Sequence, residues 1–279
     1  MLAVPLSPSA GGPLVNKRDF LKGAILFFPA GGLLALARDG ARAAAPGPAR
    51  EAEKAAAPEA PKPSGKRYNP ADHYYGMGIE VEKCIGCSRC VEACKAENDV
   101  PAEPYFFRTW IERYTVRADG EVAVQSPNQR TRHVETTDDR DVIRTFFVPK
   151  LCNHCAQPPC VQVCPVGATF STEDGVVLVD GERCIGCRYC IQACPYGARY
   201  LDPRTRTAGK CTFCYHRVVR GLKPACVEVC PTEARVFGDL RSKASRLVRF
   251  RRMNKLNVLK PALNTEPKVY YAQLDGEVR

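Results

Sequence analysis

Sixteen cysteines fall into four blocks of four: Cys84, Cys87, Cys90 and Cys94; Cys152, Cys155, Cys160 and Cys164; Cys184, Cys187, Cys190 and Cys194; Cys211, Cys214, Cys226 and Cys230. No cysteine lies outside them. C-x₂-C pairs place two thiolates on one tight turn, a geometry suited to a metal centre and poorly suited to disulfides. The third block, C-I-G-C-R-Y-C-I-Q-A-C-P from Cys184 to Pro195, reproduces the bacterial run C-x₂-C-x₂-C-x₃-C-P that holds cubane iron–sulfur clusters. The inventory is that of four [4Fe–4S] clusters, and a chain holding several clusters is built to pass electrons. Four Cys₄ zinc sites would consume the same thiolates, but three cysteines crowded at x₂ steps and followed by x₃-C-P suit a cube better than a tetrahedral ion.

The formal charge of +11 counts thiols as neutral and omits metal. A [4Fe–4S]²⁺ core with four thiolates carries about −2, so four of them shift the total by about −8. Residues 1–45 hold five basic and two acidic residues, so a mature, cluster-loaded chain sits near neutrality. The excess charge that would favour a nucleic-acid partner disappears, and no such partner is expected.

The N-terminus reads as a signal peptide over residues 1–45: a polar stretch ending N-K-R-D-F-L-K at Asn16 to Lys22, an apolar run from Gly23 to Ala37, and A-R-A-A-A at Ala41 to Ala45. K-R-D-F-L-K resembles the twin-arginine export motif, with Lys17 standing where the first arginine is expected. Pro29, Gly31 and Gly32 interrupt an apolar run already short for a membrane span, so an uncleaved anchor is the weaker reading. Export after folding also resolves a redox conflict, because thiols threaded unfolded into an oxidising compartment would pair before meeting iron. The expected location is therefore periplasmic. Residues 46–70, rich in Ala, Pro, Lys and Glu, read as a disordered linker.

A folded domain is expected over residues 71–240. Its longest gap between blocks, 95–151, holds strand-like runs at Phe106 to Val116 and Val142 to Val148, with Asp119-Gly120 as a hairpin turn, and predicts a β insert. Between Cys164 and Cys184, Asp174-Gly175 turns into a strand from Val176 to Val179 that leads into the next cysteine loop. Blocks two and three thereby form one two-cluster ferredoxin unit. Block four leaves room for a helical turn through Arg217 to Arg220 that stops at Gly221. In blocks one and three the x₃ step places Cys94 and Cys194 one helical turn beyond Cys90 and Cys190. In two-cluster ferredoxins that fourth ligand crosses to the partner cluster. This gives Cys152, Cys155, Cys160 and Cys194 for one cube and Cys164, Cys184, Cys187 and Cys190 for another. Blocks one and four are left to pair, with Cys84, Cys87, Cys90 and Cys230 on a third cube and Cys94, Cys211, Cys214 and Cys226 on the fourth; spacing alone does not prove this second pairing.

C-K-A-E-N-D-V-P at Cys94 to Pro101, C-N-H-C-A-Q-P-P-C-V-Q-V-C-P at Cys152 to Pro165, and C-T-F-C followed by G-L-K-P-A-C-V-E-V-C-P-T-E-A, ending at Ala234, closely resemble the four-cluster electron-transfer subunits of DMSO-reductase-type complexes. Tetrathionate, polysulfide and cytochrome-nitrite reductase systems and the Dsr membrane complex use similar subunits. The resemblance covers roughly residues 74–240. It implies the pairing of block one with four and two with three. It also implies a catalytic partner subunit, often a molybdopterin enzyme, and a quinone-reactive membrane subunit or a cytochrome as the second partner.

No nucleotide-binding glycine loop, flavin signature or catalytic constellation appears, so substrate chemistry is expected in another subunit. A self-contained oxidoreductase and a freely diffusing periplasmic ferredoxin are the competing readings. Rieske ligation would replace two cysteines by histidines, whereas all cysteine positions are filled; His73, His133, His154 and His216 are therefore not ligands, and His154 and His216 are expected to pack or hydrogen-bond beside clusters. Lys83, Arg89, Lys95, Arg183, Arg188 and Lys210 flank cysteines and are expected to raise local reduction potentials. Trp110 reads as core. Residues 241–279 read as an extended basic tail; Arg241 to Lys260 hold eight basic residues and no acidic one, as fits either a docking segment for a partner or anionic lipid, or a solvated surface. The fold class is α+β: two intertwined ferredoxin-like units with a β-strand insert.

Overall fold

The computed structural model describes residues 68–102, 106–126 and 141–278. Contacts divide the chain into Met1–Glu59 and Ala60–Arg279, and every described residue belongs to the second unit. The expected signal peptide, the linker up to residue 67 and His133 lie outside the described residues. Order is already established at Tyr68, whose hydroxyl donates to Asp174 and whose ring stacks on His73 at 5.2 Å.

One device recurs around the domain: a strand leaving each cysteine block pairs antiparallel with a strand entering the next. β1 (Tyr75–Glu80) enters block one, where α1 (Arg89–Glu97) carries Cys90 and Cys94. β2 (Thr109–Arg117) leaves it and β3 (Val122–Gln125) turns back across Asp119-Gly120, with Gly120 at φ +85°. β4 (Val142–Leu151) enters block two and pairs with β2 from Thr109 opposite Leu151. These three strands are the expected β insert. After α2 (Pro159–Gln162), β5 (Thr169–Ser171) leaves block two and pairs with β6 (Val177–Val179), the expected hairpin. After α3 (Tyr189–Gln192), β7 (Arg199–Leu201) pairs with β8 (Ala208–Lys210), which enters block four. Block four adds α4 (Tyr215–Val218), shortly followed by Gly221 at φ +78°, and α5 (Ala225–Glu228). β9 (Arg235–Asp239) leaves block four and pairs with β1, Tyr75 opposite Asp239, so the last block is joined back to the first.

Helix length follows from the residue after each block's last cysteine. Pro165, Pro195 and Pro231 push the preceding cysteine away from helical geometry and offer no N–H, so α2, α3 and α5 stop at four residues each. Block one has Lys95 in that place, and α1 runs for nine residues. The expectation that Cys194 sits within a helix one turn beyond Cys190 is corrected accordingly: α3 ends at Gln192, and only Cys94 is carried on a continuous helix.

Residues 241–279, expected to extend from the domain, are built into it. α6 (Arg246–Met253) is capped by Ser245, whose Oγ accepts the Leu247 N–H at 3.3 Å. It buries Leu247 and Phe250 against β1, where Gly78 leaves room for the Phe250 ring; a Cβ there would meet that ring at 2.6 Å. β10 (Leu256–Asn257) and β11 (Val269–Ala272) complete a four-stranded sheet in the order β10-β11-β1-β9, with β11 parallel to β1. Met77, Ile79, Val269 and Tyr271 are fully buried in this sheet, each worth about 1.5–3 kcal/mol of burial. The basic residues of α6 turn outward: Arg246 pairs with Glu233 at 2.8 Å and Arg251 covers the Tyr270 ring at 4.7 Å. Among the described residues no helix is long and apolar enough to cross a membrane. The fold is thus α+β, two ferredoxin-like units of short helices and small sheets carrying a β insert.

Candidate metal centres

The C-I-G-C loops of blocks one and three fold alike. Gly86 and Gly186 take φ of +70° and +69°, and Ser88 and Arg188, two residues on, take +59° and +68°. These left-handed turns favour glycine; in block one they curl the loop so that Cys84, Cys87 and Cys90 line one void. Gly86 also admits the Phe147 ring, which a Cβ would meet at 2.5 Å. The loop isoleucines, Ile85 and Ile185, stand exposed in both copies.

Three voids are each lined by four thiols. Cys84, Cys87 and Cys90 are joined by Cys230; Cys94 by Cys211, Cys214 and Cys226; and Cys152, Cys155 and Cys160 by Cys194. Each thus combines three cysteines from one block with one from its partner block. In the remaining set, Cys184 and Cys190 pack together with Val161, Val177 and Ile191, Cys187 is exposed and Cys164 is partly covered. All sixteen are free thiols.

Each set lies beside the next. Burial raises Cys226 to about 11 against the pull of Arg235, and Cys90 of the first set adds to the rise. Burial, then Cys226, then Cys152 of the third set raise Cys211 to about 12. Cys160 of the third set packs in one apolar cluster with Cys190 of the last. The order is Cys84/87/90/230, Cys94/211/214/226, Cys152/155/160/194, Cys164/184/187/190, called here sets one to four. All four thiols of set two are buried, whereas sets one and four reach the surface through Cys84, Cys87 and Cys230 and through Cys164, Cys184 and Cys187.

The chemistry of the linings fits a sulfur-ligated cluster. No carboxylate or imidazole lines any of the three voids. Burial holds Cys84 and Cys155 up at about 11 and Cys94 well above its ordinary value, so bare thiols there stay protonated and iron must displace protons to bind. Backbone N–H groups of Thr169, Phe213 and Ala208 point at Cys164, Cys211 and Cys184, each at 3.4 Å. At Cys164 burial raises the thiol, but the N–H groups of Thr169, Val166 and Ala168 outweigh it and the net shift is downward. Asn98, fixed by Arg108 at 3.2 Å, donates to Cys94 and Cys214 at 3.7 and 3.6 Å, which gives the C-K-A-E-N run its local role.

Buried cations supply the second line of fit. Arg199, Lys210 and Arg235 are 6 %, 2 % and 3 % exposed, and among the described residues none has a carboxylate partner. Unpaired charges this deep are strongly unfavourable unless an anion faces them. Arg199 reaches Cys160 Sγ at 2.9 Å. Arg235 lines the set-one void and holds Thr109 Oγ1 at 2.8 Å. Lys210 donates to the carbonyls of Val177 and Cys211. Arg199 Nε, Arg235 Nη1 and Asn153 Nδ2 are buried without a hydrogen-bond partner, and these residues line the voids of sets three and one. A fourth buried cation, Lys268, donates to the Gly175 carbonyl; burial lowers it to about 8, against the pull of Cys155 and Cys152.

Of the flanking cations expected to act on clusters, only Lys210 is buried among them. Lys83 is half exposed and paired with Glu80 at 2.7 Å, Arg183 faces Asp180, and Lys95 holds the Pro101 and Ala102 carbonyls. Arg199 and Arg235 escaped sequence reading although a signal existed: C-P-Y-G-A-R and C-P-T-E-A-R place an arginine five residues after the last cysteine of blocks three and four. His154 packs in the core as expected, its Nδ1 accepting the Val177 N–H at 3.1 Å and its ring stacked on Phe213 at 3.7 Å. His216 lies instead on the surface, paired with Glu97 at 2.7 Å, and His73 pairs with Asp239 at 2.8 Å. Trp110 is partly buried against the core and donates to Glu112 at 2.9 Å.

Residues 83–168 and 143–240 each match the domain family described as 4Fe-4S dicluster domain. The chain is 44% identical over 205 residues to a tetrathionate reductase subunit of Salmonella typhimurium, covering 73% of this chain and 74% of that protein. It is 47% identical to a tetrathionate reductase subunit of Archaeoglobus fulgidus, covering 77% and 90%, and 42% identical to the thiosulfate reductase electron transfer subunit PhsB of Salmonella typhi, covering 62% and 79%. A chain that shares this much of its length with such proteins, and interlocks its cysteines in two ferredoxin-like units, belongs to the 4Fe-4S dicluster family of reductase iron–sulfur subunits.

Proposed function

We propose that sets one to four each hold one [4Fe–4S] cluster and that the chain relays electrons, one at a time, between a catalytic oxidoreductase subunit, molybdopterin-dependent, and a quinone-reactive membrane subunit or cytochrome. The observation that carries this reading is the succession of neighbouring thiol sets, of which the first and last reach the surface while set two is fully covered. A [4Fe–4S] cluster supplies a reversible one-electron carrier. The chain's own residues hold the carriers in order, exclude water from the middle and set the surrounding charge. The surface-reaching ends at Cys187 and at Cys84 and Cys87 are the places where partners meet the chain. The twin-arginine-like leader, outside the described residues, carries the loaded protein to the periplasm. The names of the relatives as reductase subunits support a permanent place in a complex.

Purification from native membranes tests the reading. Four clusters' worth of iron and acid-labile sulfide is expected, together with a co-purifying catalytic subunit and a membrane subunit or cytochrome. Cys230→Ser is expected to damage a cluster of sets one and two and to spare sets three and four. A monomer that turns over a substrate alone, or material holding only zinc, overturns the proposal.

A further inference from the structure

Each thiol set lies beside the next, which makes three junctions, and one buried cation stands at each. Arg235 lines the void of set one and holds Thr109 Oγ1 at 2.8 Å, a residue that lines the void of set two; Cys90 and Cys84 of the first set and Cys226 of the second lie within its electrostatic reach. Lys210, buried, donates to the carbonyl of Cys211 of set two and to that of Val177, which packs against Cys160 of set three; Cys152 and Cys160 of set three and Cys211 all lie within its electrostatic reach. Arg199 touches Cys160 of set three and also acts on Cys190 of set four. Their chain positions repeat as well. Arg199 and Arg235 each open the strand that leaves a block, and Lys210 closes a strand that enters one.

We infer that Arg235, Lys210 and Arg199 are junction charges, each raising the reduction potentials of the two clusters on either side of it. The inference rests on the cluster assignment proposed above. Each anionic cluster makes its neighbour harder to reduce, because like charges in a poorly screened interior repel. A fixed cation between two clusters offsets that penalty on both, whereas a cation beside one cluster alone shifts that cluster only. The protein supplies each kind. Lys268 acts on Cys155 and Cys152, both of set three, and serves as the single-cluster control. Lys83, exposed and satisfied by Glu80, serves as the control without effect.

The test is a redox titration of the intact complex followed by electron paramagnetic resonance, with each signal assigned through a cysteine variant of its own set. Lys210→Met is expected to lower the midpoints of sets two and three together, changing the reduced-to-oxidised ratio of each about tenfold at fixed potential, about 59 mV for a one-electron couple. Lys210→Arg restores both. Lys268→Met lowers set three alone, and Lys83→Gln moves none. A Lys210→Met protein with full iron and sulfide in which one midpoint or neither moves overturns the inference. Where Lys210→Met fails to assemble its clusters, Arg235→Gln is read in the same way: sets one and two fall together, and a shift confined to one overturns it. Wild-type material short of four clusters would instead remove the assignment beneath the inference, and iron and sulfide analysis registers that outcome separately.

Discussion

The ferredoxin unit made by blocks two and three is contiguous in sequence; the one made by blocks one and four is split around it. Both use the same loop turns and the same exchange of a fourth cysteine. They differ in how they are closed. The contiguous unit is held by one short hairpin, β5-β6, and a second, β7-β8, ties it to block four. The split unit has no such loop between its ends, and the pairing of β9 with β1 takes its place, braced on the other side by β11 and beneath by α6. Long-range strand pairing must offset a larger chain entropy than a hairpin does, and the bracing supplies buried apolar surface at that seam.

Tyr271→Ala gives the sharpest way to break this comparison. The side chain is fully buried and its hydroxyl donates to the Pro149 carbonyl at 3.1 Å, so its loss is expected to remove about 3–5 kcal/mol. In a denaturant titration followed by visible absorbance and resonance spectra, sets one and two should lose iron before sets three and four. The opposite order would refute the claim that the split unit depends on its brace.

The paired loops allow a finer test. Gly86→Ala and Gly186→Ala each force a side chain into the left-handed region, at about 1–2 kcal/mol. At Gly86 the new methyl meets the Phe147 ring, a side chain that can shift; at Gly186 it meets the Arg206 carbonyl, part of the backbone. Gly186→Ala is therefore expected to be the more destabilising, read as the difference in unfolding midpoint between the two variants. Equal effects would mean that the loops are alike in their surroundings too.

The smallest effect lies at the outer edge of the seam. Burial raises Asp239, but the His73 imidazole and the N–H groups of Tyr74 and Arg241 outweigh it and hold the carboxyl below its ordinary value. The stabilisation is thus present above the unfolded carboxylate's pKa and is lost as pH falls through the still lower folded value. Asp239→Asn is expected to cost about 1 kcal/mol at pH 7, and the gap from wild type, measured by circular dichroism melts, should close as acid protonates the folded carboxyl. A gap that persists in acid would assign the effect to shape rather than charge.

Legibility divided along the same line. Blocks two and three, the Asp174-Gly175 hairpin and the β insert were readable because their signals are local: cysteine spacing, Asp-Gly turns and β-branched runs. The part played by residues 241–279 was not. V-Y-Y-A at Val269 to Ala272 is a short run amid charged residues, and its parallel pairing with β1 depends on a partner far away in sequence. The basic stretch before it reads as a tail, docking segment or solvated surface alike, because a helix with arginines outside and only Leu247 and Phe250 buried inside has little apolar signature. Among the site residues, Lys210 was singled out with five other flanking cations, and adjacency to a cysteine could not tell a buried ammonium from one at the surface. Arg199 and Arg235 carried a repeat that spacing alone does not distinguish from a solvated charge.

The exit-to-entry pairing described for the four blocks makes a ring with four joints, of which the peptide crosses only three; the fourth is closed by hydrogen bonds between β9 and β1. Spatial order and gene order are separable in such an arrangement. A polypeptide cut at the exposed turn around Thr205, with its former ends tied by a linker, would keep every strand ladder and every set of thiols while reading the blocks in a different sequence.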